Sequence, residues 1–142
     1  MDVYGEFMGS GYNPLYPFAY GLSYTTFNVT GSTPASVSRT GTMTATFTVS
    51  NTGSVAGTDV VPVYVHQPVS VVTVPNQRLV GFARVTLNPG QTKTVHVAFR
   101  VSQLAVTPGD IDGAASPQVE LGAYQVQIGT PASLSADFTV HA

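Results

Sequence analysis

The sequence predicts an all-β fold: an antiparallel sandwich of about seven strands with an irregular aromatic extension at its N-terminal end. Three observations point there. Beyond Tyr24 apolar and polar residues alternate with period two, turn signals recur roughly every ten residues, and no helical periodicity outlasts one turn. A chain of 142 residues suits a single core that hides about two-thirds of the unfolded surface.

The extension covers residues 1–24, and the sandwich is expected to occupy 25–142. Eight of the 14 aromatics (Tyr4, Phe7, Tyr12, Tyr16, Phe18, Tyr20, Tyr24 and Phe27) fall in the first 27 residues. Pro14 and Pro17 fix φ and push the residues before them into extended conformations, so no helix runs through. Gly21 offers a turn before Tyr24 to Phe27 start a strand. Each large aromatic carries about 150–250 Å² that favours burial. The ribbon must therefore lie against its own domain, another domain or a ligand, which makes Tyr12, Tyr16, Phe18, Tyr20 and Tyr24 the candidate contact residues for a neighbouring domain or a polymer.

The strands follow in order. In Thr42–Ser50, Met43, Ala45, Phe47 and Val49 share one face, and the other face is threonine and serine. This is a half-buried strand whose polar face keeps β-branched residues. Asn51-Thr52-Gly53 turns the chain. Asp59–His66 resumes with Val61, Val63 and Val65 inward, both faces being apolar enough for a strand covered on two sides. Pro62 cannot donate to a ladder, so its nitrogen should point off the sheet edge or into a bulge. Residues 67–78, with Pro68 and Pro75 around Val69 to Val74, read as a loop with a short edge strand. Leu79–Leu87 is a strand interrupted at Gly81. Asn88-Pro89-Gly90-Gln91 has the central residues of a type II turn, leading by hairpin or inter-sheet corner into Thr92–Arg100. Ser102–Gln118 is a long loop with a helical turn near Ser102–Leu104. Ala123–Gly129 and Leu134–His141 close the fold, with Tyr124, Val126, Ile128, Ala136, Phe138 and Val140 inward.

Composition excludes more chemistry than it suggests. Charged residues are 8 % of the chain, five basic against seven acidic, for a net charge of -2. With no basic run, nucleic acid and anionic membranes are poor partners. Cysteine is absent, which removes disulfides and thiolate metal sites. No apolar run approaches the roughly 18–20 residues that span a bilayer, and Met1 is not followed by a basic and then apolar leader. Met1 directly before Asp-Val-Tyr fits the start of an excised piece. Asn28-Val29-Thr30 is a glycosylation sequon, meaningful only in a eukaryotic secretory route.

Asp110-Ile111-Asp112-Gly113 matches the start of a calcium loop but lacks its later acidic ligands, so a plain turn is expected. His66, His96 and His141 are scattered over three strands without carboxylates at metal-site spacing. No serine lies in a Gly-x-Ser-x-Gly elbow, no acid pair suggests a glycosidase cleft, and no glycine-rich loop precedes a helix. No cofactor is expected. Tyrosine faces could stack on sugar rings or lignin, yet the lack of tryptophan argues against a dedicated sugar platform.

The run Asn13-Pro14-Leu15-Tyr16-Pro17-Phe18-Ala19-Tyr20-Gly21-Leu22-Ser23-Tyr24-Thr25-Thr26-Phe27 closely resembles the junction in glycoside hydrolase family 3 enzymes, β-glucosidases and β-xylosidases, where the α/β-sandwich domain hands over to a C-terminal fibronectin type III-like domain. The likeness continues through Val49-Ser50-Asn51-Thr52-Gly53, Ala56-Gly57, Val60 to Val65, Leu79-Val80-Gly81-Phe82, Arg84 to Gln91 and Gly122 to Val126. It spans residues 12–142. Ala19 in place of glycine, Pro62 in place of a polar residue, Gln77-Arg78 before Leu79 and Leu121 in place of proline depart from the family pattern. Tyr124, opening a strand after Gly122, is similar to the tyrosine corner of such sandwiches.

The resemblance implies a non-catalytic accessory module of a secreted or periplasmic polysaccharide-degrading glycosidase. Its partners would be the parent's catalytic domains in cis, braced through the ribbon and one sheet face, or alternatively cellulose, xylan or lignin bound by exposed aromatics. The family's catalytic acids belong to the barrel and middle domains, so none carries over to a residue of this chain.

Overall fold

The structure, a computed structural model, describes residues 15–16, 20–109, 113–130 and 132–142. Tyr12, Phe18 and the turn at Asp110-Ile111-Asp112 lie outside the described residues. Eight strands are present among those described: β1 (Phe27–Ser32), β2 (Ser36–Ser38), β3 (Thr42–Asn51), β4 (Gly57–His66), β5 (Arg78–Leu87), β6 (Thr92–Arg100), β7 (Gly122–Ile128) and β8 (Leu134–His141). They form two sheets, β1-β3-β6 and β2-β8-β7-β4-β5, packed as a sandwich.

The alternation in the sequence becomes the core. Met43, Ala45, Phe47 and Val49 of β3 face Val61, Val63 and Val65 of β4, with Tyr124, Val126 and Ile128 of β7 and Phe138 and Val140 of β8 completing one cluster. Each of these large side chains contributes about 1.5–3 kcal/mol by leaving water. Val101 and Leu104, on a 3-10 turn, are buried against the same core. The outer face of the three-stranded sheet is a grid of hydroxyls: Thr48 bonds Thr94 at 3.3 Å, Ser50 bonds Thr92 at 3.0 Å and Thr46 bonds His96 at 3.0 Å.

Five details differ from the expectation or sharpen it. The eighth strand, β2, is three residues long and pairs parallel to β8; with only Val37 to show, it is too short to display a period. No strand forms at Val69–Val74, because side chains satisfy its backbone: the Glu120 carboxylate accepts from Val71 N at 2.9 Å and Ser70 Oγ accepts from Val72 N at 3.3 Å. Gly81 does not interrupt β5. The register against β4 slips there instead, leaving Val80 as an extra residue, and Gly81 lies where a Cβ would stand 2.6 Å from Val97 Cγ1. Its bare backbone lets the two sheets approach.

Pro62 sits one residue beyond the β4–β7 ladder, which begins at Val63. Its carbonyl accepts from Gly129 N at 2.9 Å, and a residue's N and O point to the same side of a strand, so its missing donor falls where that ladder has ended. Between β5 and β6, Gln91 N donates to Asn88 O at 3.0 Å and Gly90 has φ +73°, the type II signature. Since β5 and β6 belong to different sheets, the turn is an inter-sheet corner.

Candidate functional site

The aromatic ribbon leaves the sandwich at a clamp built around Asn51. That residue continues the inward face of β3 past Val49, so the alternation carries an amide into the core, where it is 1 % exposed. A buried amide must be satisfied, and Asn51 is. Oδ1 accepts from Thr25 Oγ1 at 2.6 Å and from Gly53 N at 3.0 Å, while Nδ2 donates to Val55 O at 2.8 Å and Leu87 O at 3.1 Å. Beside it, Thr52 N donates to Thr26 O at 2.8 Å, and the two threonine hydroxyls lie 2.8 Å apart. Gly53 is tight against this entry: a Cβ there would stand 2.2 Å from Thr25 Oγ1. Asn51-Thr52-Gly53 turns the chain as its sequence implies, and it also clamps the entry of the ribbon. The signal for more was present, a polar residue at an inward position.

Before the clamp the described residues of the ribbon are largely uncovered. Tyr16, Tyr20 and Tyr24 are 64 %, 48 % and 100 % exposed, and Leu15 and Leu22 are 86 % and 92 % exposed. Tyr16 and Tyr20 pair with ring centroids 5.1 Å apart and planes tilted by 38°. A second apolar area lies on the outer face of β4 and β5, where Val60, Leu79 and Phe82 are about half exposed or more.

Where the ribbon crosses the open side of β4 it leaves a notch of about 380 Å³, lined by Leu22, Phe27, Asp59, Val60, Pro62 and Thr130 among others. Asp59 is half-buried there. Burial pushes its carboxyl above the usual range, and a hydrogen bond from Val60 N opposes this only in part.

Tyr124, at the other end of the sandwich, donates from Oη to Glu120 O at 2.8 Å and stacks on Phe138 at 5.5 Å. Burial raises its phenol pKa, helped by the neighbouring Glu120 charge. The Glu120 side chain holds the 67–77 loop, with Gln67 Nε2 and Val71 N as donors. Hydrogen bonds from Ser70 and Val71 are the main causes that keep its carboxyl below the ordinary value.

The histidines do not converge. His96 lies on the three-stranded sheet beside Thr46, His66 bonds Asn76 O at 2.7 Å and His141 bonds Ala142 O at 3.0 Å. Among the described residues no three His, Cys, Asp or Glu side chains group as a metal site. What these residues offer chemically is contact surface.

Comparison with known proteins agrees with the architecture. Residues 59–132 match the family model of the fibronectin type III-like domain. The chain is 41 % identical over 115 residues to beta-glucosidase B of Emericella nidulans, covering 81 % of this chain and 13 % of that protein. It is 37 % identical over 137 residues to a beta-xylosidase of Formosa agariphila, covering 94 % and 18 %. Among solved structures, beta-glucosidase 3B from Thermotoga neapolitana, in complex with alpha-D-glucose, superposes with a TM-score of 0.80 at 33 % identity, over 92 % of this chain and 18 % of that one. The chain thus spans less than a fifth of the length of each of these three.

Proposed function

Because the chain belongs to the fibronectin type III-like domain family, we propose that it is the accessory module of a multidomain glycosidase of the β-glucosidase and β-xylosidase type, and that it braces the catalytic domains through the aromatic ribbon of residues 1–24 and one sheet face. The relatives it resembles are several times longer and carry those activities in their names. The module supplies no catalytic residue to the parent. A parent that degrades polysaccharide meets its substrate outside the cytoplasm, so the module is proposed to work in a secreted or periplasmic enzyme.

One observation carries the proposal: the described residues of the ribbon present apolar side chains to solvent while the chain behind them is locked. Leu15, Tyr16, Leu22 and Tyr24 stay mostly exposed, although burying such side chains is worth about 1.5–3 kcal/mol each. The Asn51 clamp fixes where the ribbon leaves. A fixed exit with uncovered aromatics is suited to a partner held in cis. Removing residues 25–142 from the parent is expected to lower its melting temperature; an unchanged melting curve would refute bracing.

The second reading is anchoring to cellulose, xylan or lignin, favoured by the exposed Tyr16–Tyr20 pair. Their planes are tilted by 38°, which gives a flat polymer no common surface to lie on. Depletion of the chain by those solids, abolished by Tyr16→Ala or Tyr20→Ala, would establish anchoring. Release of nitrophenol from aryl glycosides above background would overturn the non-catalytic assignment.

A further inference from the structure

We infer that the notch between the ribbon and β4 is a socket for a basic side chain, a guanidinium or ammonium, presented by the catalytic region that packs on the ribbon; the inference deepens the bracing proposal and rests on it. Asp59 is the only charged residue among the described residues that line the notch. All five lysines and arginines of the sequence (Arg39, Arg78, Arg84, Lys93 and Arg100) are among the described residues. None of them lines the notch, and burial and the Val60 N–H are what act on the Asp59 carboxyl, so a cation brought by a partner meets no competitor among the lysines and arginines.

The rest of the lining suits such an occupant. Leu22, Phe27, Val29 and Val61 give the notch apolar lining against which the methylene stem of an arginine or lysine packs. A guanidinium offers five donors in a planar fork, enough for both oxygens of the Asp59 carboxylate. The volume, about 380 Å³, takes one side chain with its water. A neutral sugar could bond the carboxylate through its hydroxyls but brings no opposite charge, whereas a guanidinium brings both donors and charge.

The test uses the full chain, isotope-labelled, titrated with ethylguanidinium and separately with methyl β-D-glucopyranoside. Ethylguanidinium is expected to shift the amide signals of Leu22, Val60 and Thr130 saturably, with affinity falling roughly three- to tenfold in Asp59→Asn. Leu22→Lys, at an exposed position on the rim, should abolish the response by supplying a tethered cation. The glucoside should leave these signals unmoved. Equal guanidinium binding by wild type and Asp59→Asn, no response at these residues, or saturable glucoside binding there would overturn the socket. In the parent enzyme, Asp59→Asn should lower the melting temperature. If it does not, while removal of residues 25–142 does, the socket falls and bracing stands; if neither change lowers it, both fall.

Discussion

Asn51 decides more of this structure than any other polar residue, since one amide joins the ribbon, the β3–β4 turn and the end of β5. Asn51→Ala strands four partners, the Thr25 hydroxyl and Leu87 O of them at buried contacts, so urea denaturation should show a loss of about 2–4 kcal/mol. Glu120 gives a pH signature. Its folded-state pKa lies below the ordinary 4.5, so the folded form holds its proton less readily than the unfolded form does. Its stabilisation is complete above 4.5 and is lost as pH falls through the depressed value. Asp59 runs the other way: its raised pKa makes the folded form lose stability as pH rises from 3.8 through the raised value. The two overlap, so the test is a difference. Between about pH 5 and pH 3 the urea midpoint of wild type should fall more steeply than that of Glu120→Gln.

At the scale of the element, β3, β6, β7 and β8 were legible within a residue or so because long alternating runs bury one face. The loop at Val69–Val74 was not. Its backbone is satisfied by Glu120, 49 residues from Val71 in sequence, and no local pattern reports a partner that far away. The clamp was half legible: Asn51 stood at an inward position, but its four partners are set by the fold. Gly81 shows the same limit, for its cause is Val97 on the facing sheet. Gly81→Ala should cost about 1–3 kcal/mol by overpacking, and adding Val97→Ala should recover part of that loss. Additive losses in a double-mutant cycle would show that the close approach is not the reason for glycine.

For the whole molecule, the sandwich was readable from the sequence, while the direction of the ribbon was not, because exposure depends on what is absent around a residue. If the ribbon contributes nothing to the isolated fold, Tyr24→Ser should leave its stability within about 0.5 kcal/mol of wild type, as its full exposure implies. A larger loss in chemical denaturation would mean that the ribbon folds back onto the sheets.

The hydroxyl grid on the three-stranded sheet has a further consequence. Most protein exteriors resist clumping through like-charge repulsion, which dissolved electrolyte mutes. With only 8 % charged residues, this exterior depends on neutral alcohol groups bonded to water and to each other, and they have no ion atmosphere to lose. Brine that makes an ionic coat ineffective should leave this one wetted much as before.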